Sequence, residues 1–579
     1  MRRTTRTAED LRALAAVARG DAPADLTLEG GRVLNVYSGE LLDANVAVAR
    51  GRIAYVGARR AAAGAETSVI PLEGRILVPG YIDPHAHPAG FSNPVALAEA
   101  VLALGTTAIV LDTLHLLLHA RADRLPEFLT VLSALPLHYY WFLRLHGQGH
   151  EDREQELFAP DRLSGLLRLE SVRAVGEMTR WPALYAGEAA ATAAVAAGLA
   201  EGRRVEGHAP GVSAERLQTL TAAGISSDHE AITADEALAR LRAGLYVMLR
   251  HSSIRRDLPR LASIATGERA FSGRLMLTPD GPNPVFIDEE GYVDRLIAVA
   301  IEAGVPPMAA YQMATINPAT YYGLDEEIGG IAPGRLADIN VISDLRHPRP
   351  EIVFAGGRLA AEAGSLTAPL PHLDWARYLP PAYAPSWQPR PELFRPPEGE
   401  SVPAMHLENE VITRRREVRS SGGSLPPGIQ QIALLDAEGR WISRGLLSGF
   451  AERLDGLAST FSVVRAVTVI GAAPQAMARA ARRVLEMGGG VALVEDKRLV
   501  YDFALPLAGT MSQESFPTVV SAVRTLTALL RERGYPHGDL LYTLLFLSFD
   551  ALPDLRLTSR GLWDVKRQRV LLPGEDLRS

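Results

Sequence analysis

The stretch VPGYIDPHAHP at residues 78–88 decides how the fold is interpreted, because it places two histidines one residue apart after a short apolar run. Residues i and i+2 of a β-strand point to the same side, so His85 and His87 can face one interior together. The preceding RILVPGYID is typical of a strand, which puts the pair near the strand's carboxyl end, where barrel enzymes hold their active sites. An isolated His-x-His pair is a weak signal, so the rest of the chain must show whether it binds a metal.

Residues 79–328 alternate short apolar strands with helical segments, as in TTAIVLD (106–112), RRVEGHAPG (203–211) and GLYVMLRHSS (244–253). Such alternation over this length is typical of a (β/α)8 TIM-like barrel. An open doubly wound sheet is the competing architecture, but no glycine-rich phosphate loop favours it. We therefore predict an α/β fold built on a barrel.

The segments that flank the barrel predict further domains. Residues 24–58 and 329–357 contain β-branched runs separated by glycine turns, and they could pair into one small sheet domain. The predicted organisation is an N-terminal helix (1–22), a split β-sandwich domain (23–78 and 329–368), the barrel (79–328), a proline-rich linker (369–400) and a C-terminal α/β domain (401–579).

The composition excludes whole classes of site. The chain of 579 residues has no cysteine, which removes disulfides, thiolate nucleophiles and cysteine-bound zinc, so any metal must be held by His, Asp or Glu. A net charge of −7 argues against nucleic-acid binding. The most apolar run, LLYTLLFLSF at 540–549, is about half of the roughly 20 residues that a membrane span requires. We expect a cytoplasmic homo-oligomer with a small-molecule partner, no membrane and no nucleic acid.

Four later residues support a metal site. Glu177 in AVGEM, His208 in VEGHAPG, His229 in ISSDHEA and Asp280 in LMLTPDG each follow a short apolar run. Their spacing fits whole barrel units. It assigns these four residues, in chain order, to strands 4, 5, 6 and 8, and the first histidine pair to strand 1. Each residue alone is more simply a strand-end residue or a helix cap. Together, four histidines and two carboxylates at one barrel mouth form a ligand set for two divalent cations with a bridging carboxylate.

The motifs around these residues resemble a known family. The order His-x-His, Glu, His, His, Asp resembles the amidohydrolase superfamily. Longer stretches are similar to the adenine deaminase family within it: GEM (176–178), EGHAPG (206–211), AAGISSDHE (222–230), MATINPATYYGL (313–324), GGIAPGRLADINVI (329–342) and RVLEMGGGVALVEDKRLVYDFALPLAGTMS (483–512).

The resemblance implies a hydrolase that converts adenine to hypoxanthine and ammonia, a C–N bond hydrolysis of purine salvage. It implies that His85, His87 and Asp280 hold one metal and that His208 and His229 hold the other, with Glu177 as the bridge. Asp280 and Glu177 are then the catalytic residues, and Asp280 moves a proton from the nucleophile to the leaving amine. The family favours two Mn²⁺ ions, and Fe²⁺ or Zn²⁺ also suit these ligands.

Three stretches depart from the family pattern. Glu-Ser-Ser, which usually follows the first histidine pair, is replaced by PAGFSNP (88–94). Asp-Pro-His-Glu is replaced by LDTLHLLLH (111–119), and His-Asp-Ser-His-Asn by SVVRA (462–466). The metal ligands are kept while substrate-side motifs change, so an N6-substituted adenine such as N6-methyladenine is an alternative substrate.

Five residues are candidate substrate contacts. Arg250 and Ser253 would lie at the end of strand 7, and His146 follows a strand-like run. Glu230 and Asn93 stand close in sequence to the predicted ligands.

Two other functions stay open. A cyclic amidohydrolase would attack a ring amide with the same site, and a purine-binding protein would keep the site without catalysis. Cyclic amidases often use a carboxylated lysine as the bridge, so Glu177 favours deamination. The retained Asp280 argues against a protein that has lost catalysis.

Overall fold

The computed structural model describes residues 6–151, 153–266, 273–383, 387–421 and 425–578. Helix α1 (Ala8–Arg19) lies within the predicted N-terminal helix, of which residues 1–5 fall outside the described ranges. Thr7 and Asp10 form a capping box at its start, and Gly20 ends it with a left-handed φ of 90°. Local sequence therefore sets both ends of this helix.

The first strand-rich segment follows α1. Its strands are β1 (Leu26–Asn35), β2 (Glu40–Ala49), β3 (Arg52–Gly57), β4 (Ser68–Pro71) and β5 (Ile76–Pro79).

A parallel barrel comes next, with eight strands hydrogen-bonded in sequence order within the described ranges. They are β6 (Tyr81–Ala86), β7 (Thr106–Asp112), β8 (His138–Leu143), β9 (Val172–Met178), β10 (Arg204–Gly207), β11 (Ser227–Asp228), β12 (Tyr246–Arg250) and β13 (Leu275–Thr278). A parallel bridge between Ala86 and Asp280 joins the first strand to the segment after the last one. Strands β7, β8 and β13 are buried at every residue, as expected for parallel strands covered on both faces. The predicted TIM-like barrel is confirmed.

Helices connect the strands and cover the outside of the barrel. They are α2 (Pro94–Ala103), α3 (Leu114–His119), α4 (Leu125–Leu132), α5 (Glu154–Leu157), α6 (Pro160–Leu167), α7 (Trp181–Tyr185), α8 (Ala189–Ala200), α9 (Ala214–Ala222), α10 (Ala234–Arg242), α11 (Leu258–Leu261), α12 (Pro284–Glu289), α13 (Val293–Glu302), α14 (Pro307–Met313) and α15 (Ile316–Tyr321). In the part of the chain that the structure describes, no helix combines the length and apolar character needed to span a membrane.

The second strand-rich segment returns to the first. Its strands are β14 (Ile339–Ile342), β15 (Ile352–Ala355), β16 (Arg358–Glu362) and β17 (Ser365–Leu366). Strand β14 pairs antiparallel with β5, so the segments on either side of the barrel complete one mixed sheet. The residue limits of the individual domains stay predictions.

The proline-rich segment packs against the barrel through helix α16 (Trp375–Tyr378), whose Trp375 and Tyr378 contact Phe128 at ring-centroid distances of 6.0 and 5.0 Å. The C-terminal domain follows it. Its elements are β18 (Gly399–Leu407), β19 (Thr413–Ser420), β20 (Ile429–Asp436), β21 (Trp441–Ser448), β22 (Gly456–Ser459), β23 (Ala466–Gly471), α17 (Pro474–Glu486), β24 (Gly490–Glu495), β25 (Arg498–Ala504), α18 (Phe516–Arg531), α19 (Leu540–Phe546), β26 (Leu555–Thr558), β27 (Gly561–Asp564), β28 (Arg569–Pro573) and β29 (Glu575–Asp576).

The barrel and the C-terminal domain share one hydrophobic core. Phe91 of the barrel lies 5.1 Å from Phe461 and 5.9 Å from Phe503 of the C-terminal domain, measured between ring centroids. Buried apolar residues of both units belong to the same continuous cluster. The C-terminal domain therefore lies against the loops at the carboxyl end of the barrel.

Candidate active site

The six predicted metal ligands lie at the carboxyl ends of barrel strands, in the strands to which their spacing assigns them. His85 lies in β6 and His87 follows it, and Glu177 lies in β9. His208 directly follows β10, and His229 directly follows β11. Asp280 lies two residues beyond β13. In a barrel these strand ends share one face, so residues far apart in sequence meet there.

His85 is held by a buried carboxylate. Its ring is fully buried, and Nδ1 lies 2.5 Å from Oε2 of Glu206, whose other oxygen accepts a hydrogen bond of 2.6 Å from Tyr322. Burial lowers the pKa of His85 to about 4 and raises the pKa of Glu206 to about 8. Among the described residues Nε2 of His85 has no hydrogen-bond partner, and it faces Oδ1 of Asp280 at 3.6 Å. A neutral imidazole with one free, buried nitrogen is suited to binding a metal.

His87 is oriented by a second carboxylate, which an arginine holds in turn. Its Nδ1 lies 2.9 Å from Asp112, and its Nε2 lies 3.0 Å from Oδ1 of Asp280. Arg144 donates two hydrogen bonds to Asp112, of 2.9 and 2.6 Å, and one of 2.7 Å to Glu177. The buried ion pair of Asp112 and Arg144 therefore orients the ring of His87, on the side opposite Asp280.

Glu177 lies between the two halves of the ligand set. Its Oε1 contacts Nδ1 of His208 and lies 3.2 Å from Nε2 of His229. Its Oε2 lies 3.8 Å from Nε2 of His87. Burial alone would raise the pKa of Glu177, but the charges of His208 and Arg144 hold it well below its usual range. An ionised carboxylate in this position can bridge two cations.

Asp280 is positioned by its backbone and by an arginine. Its φ of 66° is left-handed, a conformation that Asp tolerates better than most residues, and its amide donates 2.9 Å to Oγ1 of Thr278. Nη2 of Arg250 lies 2.6 Å from Oδ2 of Asp280, while Nη1 contacts Glu230. Burial would raise the pKa of Asp280, but Arg250 and His87 hold it well below its usual range. Oδ1 is therefore left to face the histidine pair.

Within the described ranges, three groups of side chains place one donor atom each within 4.8 Å of one another. Ligand atoms bonded at about 2.1 Å to one ion lie roughly 3–3.5 Å apart. Oδ1 of Asp280 lies 3.0 Å from Nε2 of His87 and 3.6 Å from Nε2 of His85, which is close to that range. Glu230 joins the third group, because its Oε1 lies 3.4 Å from Nδ1 of His208. The groups are His85 with Glu177 and His229, His85 with His87 and Asp280, and His208 with His229 and Glu230.

The predicted substrate contacts divide into two sets. Arg250 and Glu230 line the cavity above the ligands. The other three are not among the described residues that line it. Asn93 caps α2 and donates 2.8 Å to the carbonyl of Ser512, Ser253 accepts from the amide of Asn283, and His146 bonds the carbonyl of Gly147. These side chains have partners away from the cavity, and their role as substrate contacts stays a prediction.

Three residues that contact the candidate ligands were not predicted. Asp112 is the last residue of β7, Arg144 directly follows β8, and Glu206 lies in β10. A polar residue at the end of a predicted barrel strand was the available signal for Asp112 and Arg144. Their pairing joins strands 2 and 3, so it depends on the barrel being assembled.

A cavity of about 510 Å³ opens above the ligand set. Side chains at the ends of the barrel strands line one side of it, including His87, Glu177, His208, Arg250 and Asp280. Residues of the C-terminal domain line the other side. They include Val411, Ile412, Phe461, Val463, Leu541, Tyr542, Leu545, Phe546, Phe549 and Leu552. The volume falls within the roughly 300–1,000 Å³ of small-molecule sites.

Gly176, which precedes Glu177, is required by a close approach of two strands. Its φ is 124°, and a Cβ there would lie 2.6 Å from the backbone oxygen of Glu206. Gly176→Ala is expected to lower the free energy of unfolding by about 2 kcal/mol or more, measured by urea denaturation. Gly165→Ala in α6 is the matched control, because its Cβ would meet open space. This change should raise the free energy of unfolding by at most about 1 kcal/mol. Equal stability of the two variants would contradict the argument.

The barrel, the histidine and carboxylate set and the sequence comparisons define the chain as an amidohydrolase, whose family model matches residues 76–360. A second model, the adenine deaminase C-terminal domain, matches residues 405–569. An adenine deaminase of Moorella thermoacetica is 33% identical, with 97% of this chain and 98% of that protein covered. A Bacillus cereus protein that is provisionally named an adenine deaminase is 34% identical, with 98% of this chain and 97% of that protein covered. The chain therefore belongs to the adenine deaminase family.

Solved structures resemble the chain over a smaller part of its length. The β-aspartyl dipeptidase of Fervidobacterium islandicum AW-1 is 17% identical with a TM-score of 0.46, and the match covers 59% of this chain and 98% of that one.

Proposed function

We propose that the chain hydrolyses adenine to hypoxanthine and ammonia at a binuclear metal site. The observation that carries the proposal is the buried Nε2 of His85, which has no hydrogen-bond partner among the described residues and faces the donor atoms of His87 and Asp280. A buried polar atom without a partner costs free energy unless a ligand satisfies it. Membership of the adenine deaminase family supports adenine as the substrate.

We assign one metal to His85, His87 and Asp280 and the other to His208 and His229, with Glu177 as the bridge. Nitrogen and oxygen donors suit Mn²⁺, Fe²⁺ or Zn²⁺, and we propose Mn²⁺ for both positions. When bound, such ions supply a hydroxide nucleophile at neutral pH and polarise the bond under attack.

The side chains themselves handle the proton. Deamination forms a bond from the oxygen of water to C6 of the ring and breaks the bond to the exocyclic nitrogen, which leaves as ammonia. The Asp280 carboxylate takes a proton from the nucleophile and delivers it to the leaving nitrogen. Arg250 holds Oδ2 at 2.6 Å, so the carboxylate keeps its orientation during both transfers.

The direct test is ammonia release from adenine by the purified, Mn²⁺-loaded protein. We expect turnover that a chelator abolishes and added Mn²⁺ restores, because the proposed nucleophile forms at neutral pH only with the metal bound. A hydantoin-type ring should not be hydrolysed. Turnover of the cyclic amide without turnover of adenine would establish the cyclic amidohydrolase instead.

A second candidate substrate is an adenine that carries a substituent on the exocyclic nitrogen. The 510 Å³ cavity and its apolar C-terminal side favour it, because an alkyl group on the leaving nitrogen would find apolar surface there. The same assay with N6-methyladenine, read by methylamine release, compares the two. A higher kcat/KM for N6-methyladenine than for adenine would select this candidate.

A further inference from the structure

The C-terminal domain forms an apolar surface over the ligand set. Its members all line the active-site cavity, and we call this set the roof: Phe461, Val463, Leu541, Leu545, Phe546 and Phe549. Phe546 lies 5.2 Å from Tyr542 and 5.5 Å from Phe549, measured between ring centroids, so part of the roof is an aromatic cluster. The barrel side of the same cavity carries the charged groups, with a few apolar residues such as Leu114, Ile232 and Ile254 among them.

The roof is anchored to the loop that carries Asp280. Tyr542 donates a hydrogen bond to the carbonyl of Gly281, and Asn283 donates one of 2.8 Å to Asp539. A Cβ on Gly281 would lie 2.1 Å from the Tyr542 hydroxyl, so the close approach of α19 requires glycine there.

The roof is also anchored to the loop that follows His87. The amide of Ser512 donates 2.7 Å to the carbonyl of Phe91, and Asn93 donates 2.8 Å to the carbonyl of Ser512. Both anchors are hydrogen bonds between ordered backbone and side-chain groups. The C-terminal domain that carries the roof is therefore bonded to the loops after both His87 and Asp280.

Two roof residues remain partly exposed. Leu541 and Phe549 are buried in the domain, whereas Leu545 and Phe546 on the same side of α19 keep part of their surface open, and both line the cavity. Apolar surface facing a cavity is stabilised when a ligand covers it.

The chemistry of the reaction assigns a ligand to this surface. Hydrolysis at C6 requires oxygen to approach the ring carbon along the normal to the ring plane, so one face of the ring must turn toward the metal ligands. The other face then turns away from them, toward the C-terminal side of the cavity. An aromatic face packs well against Phe and Leu side chains and poorly against water.

We propose that the roof is a binding subsite for the face of a planar aromatic base, and that the C-terminal domain thereby forms part of the substrate-binding site. The proposal rests on the proposed function for the identity of the reaction. The roof excludes water from the unreacted face and holds the ring against the ligand set. It acts equally on bound substrate and transition state, so its removal raises KM more than it lowers kcat.

The test compares Leu545→Ala/Phe546→Ala with a matched control, Leu499→Ala, whose side chain is 40% exposed on β25 and does not line the cavity. The double variant should raise KM for adenine by about tenfold with kcat within about threefold, and should weaken binding of unsubstituted purine by a similar factor. Metal content should match that of the control, while the Tm should fall below that of the control, because the double change removes packing of Phe546 against Tyr542 and Phe549. Both variants are compared at a temperature where each is folded.

Each outcome bears on a different claim. If KM and purine affinity of the double variant stay within twofold of the parent, the proposal that the roof binds the ring is contradicted, whatever the rate of adenine deamination. If purine binds and the double variant weakens it while adenine is not turned over, the roof stands and the proposed function fails. If the parent protein neither binds purine nor deaminates adenine, both proposals fail.

Discussion

Glu177→Gln is expected to lower adenine turnover by at least about a thousandfold and to lower bound metal with it. The Glu177 carboxylate contacts His208 and His229 through one oxygen and faces His87 through the other. The amide keeps the size of the side chain but removes the negative charge with which the proposed bridge would hold two cations. Ammonia release and the metal content of the purified protein measure the two effects together.

The matched control for this change is Glu236→Gln. Glu236 lines the same cavity, but its carboxylate accepts a 2.8 Å hydrogen bond from the amide of Ile232 and lies outside the three ligand groups of the described chain. Its amide variant should keep activity within about threefold. Normal metal content in Glu177→Gln, with activity near that of the parent, would show the bridge assignment to be wrong.

Arg144→Met is expected to reduce the free energy of unfolding by about 3–5 kcal/mol, because it leaves two buried carboxylates without their cation. The guanidinium is fully buried, and it donates to both oxygens of Asp112 and to Oε2 of Glu177. Methionine fills much of the same volume, so the loss reports charge pairing more than packing. Urea denaturation of the metal-free protein measures it without contribution from bound ions.

Arg180→Met is the control for this change. Arg180 lies near the same face of the barrel and pairs with Glu154 at 2.6 Å, but its side chain is 34% exposed. A pair in contact with water contributes about 0–1 kcal/mol, so the control should remain close to the parent. If Arg144→Met fails to fold, Arg144→Lys keeps the charge and allows the comparison. Equal losses at the two positions would contradict a structural role for the buried arginine.

The barrel and its ligand set could be predicted because both follow local periodicity. Each strand is a short apolar run, and His85, Glu177 and Asp280 stand at or just past the ends of such runs. A parallel barrel brings all its strand ends to one face, so spacing along the chain is enough to predict that these residues meet. All six candidate ligands lie at or just past the carboxyl ends of barrel strands, as this rule requires.

The residues that hold the ligands could not be predicted in the same way. The sequence pattern predicted a role for His146 and none for Arg144, which lies two residues earlier along the chain. Which of them turns inward depends on strand 3 lying beside strand 2, because only then does Asp112 come within hydrogen-bond distance of the guanidinium. A charged residue is buried only where its partner is also buried, and that partner is set by packing.

The sequence by itself determined the absence of cysteine, the order of the candidate ligands along the chain and the barrel that collects them, and the comparisons place the chain in its family. Only the tertiary structure decided how the site is enclosed. The sequence does not show which surface the apolar run at 540–549 packs against. This run forms the helix over the active site because the C-terminal domain packs on the loops after His87 and Asp280. Hydrophobic burial is non-directional, so the surface that such a run faces depends on the assembled domains.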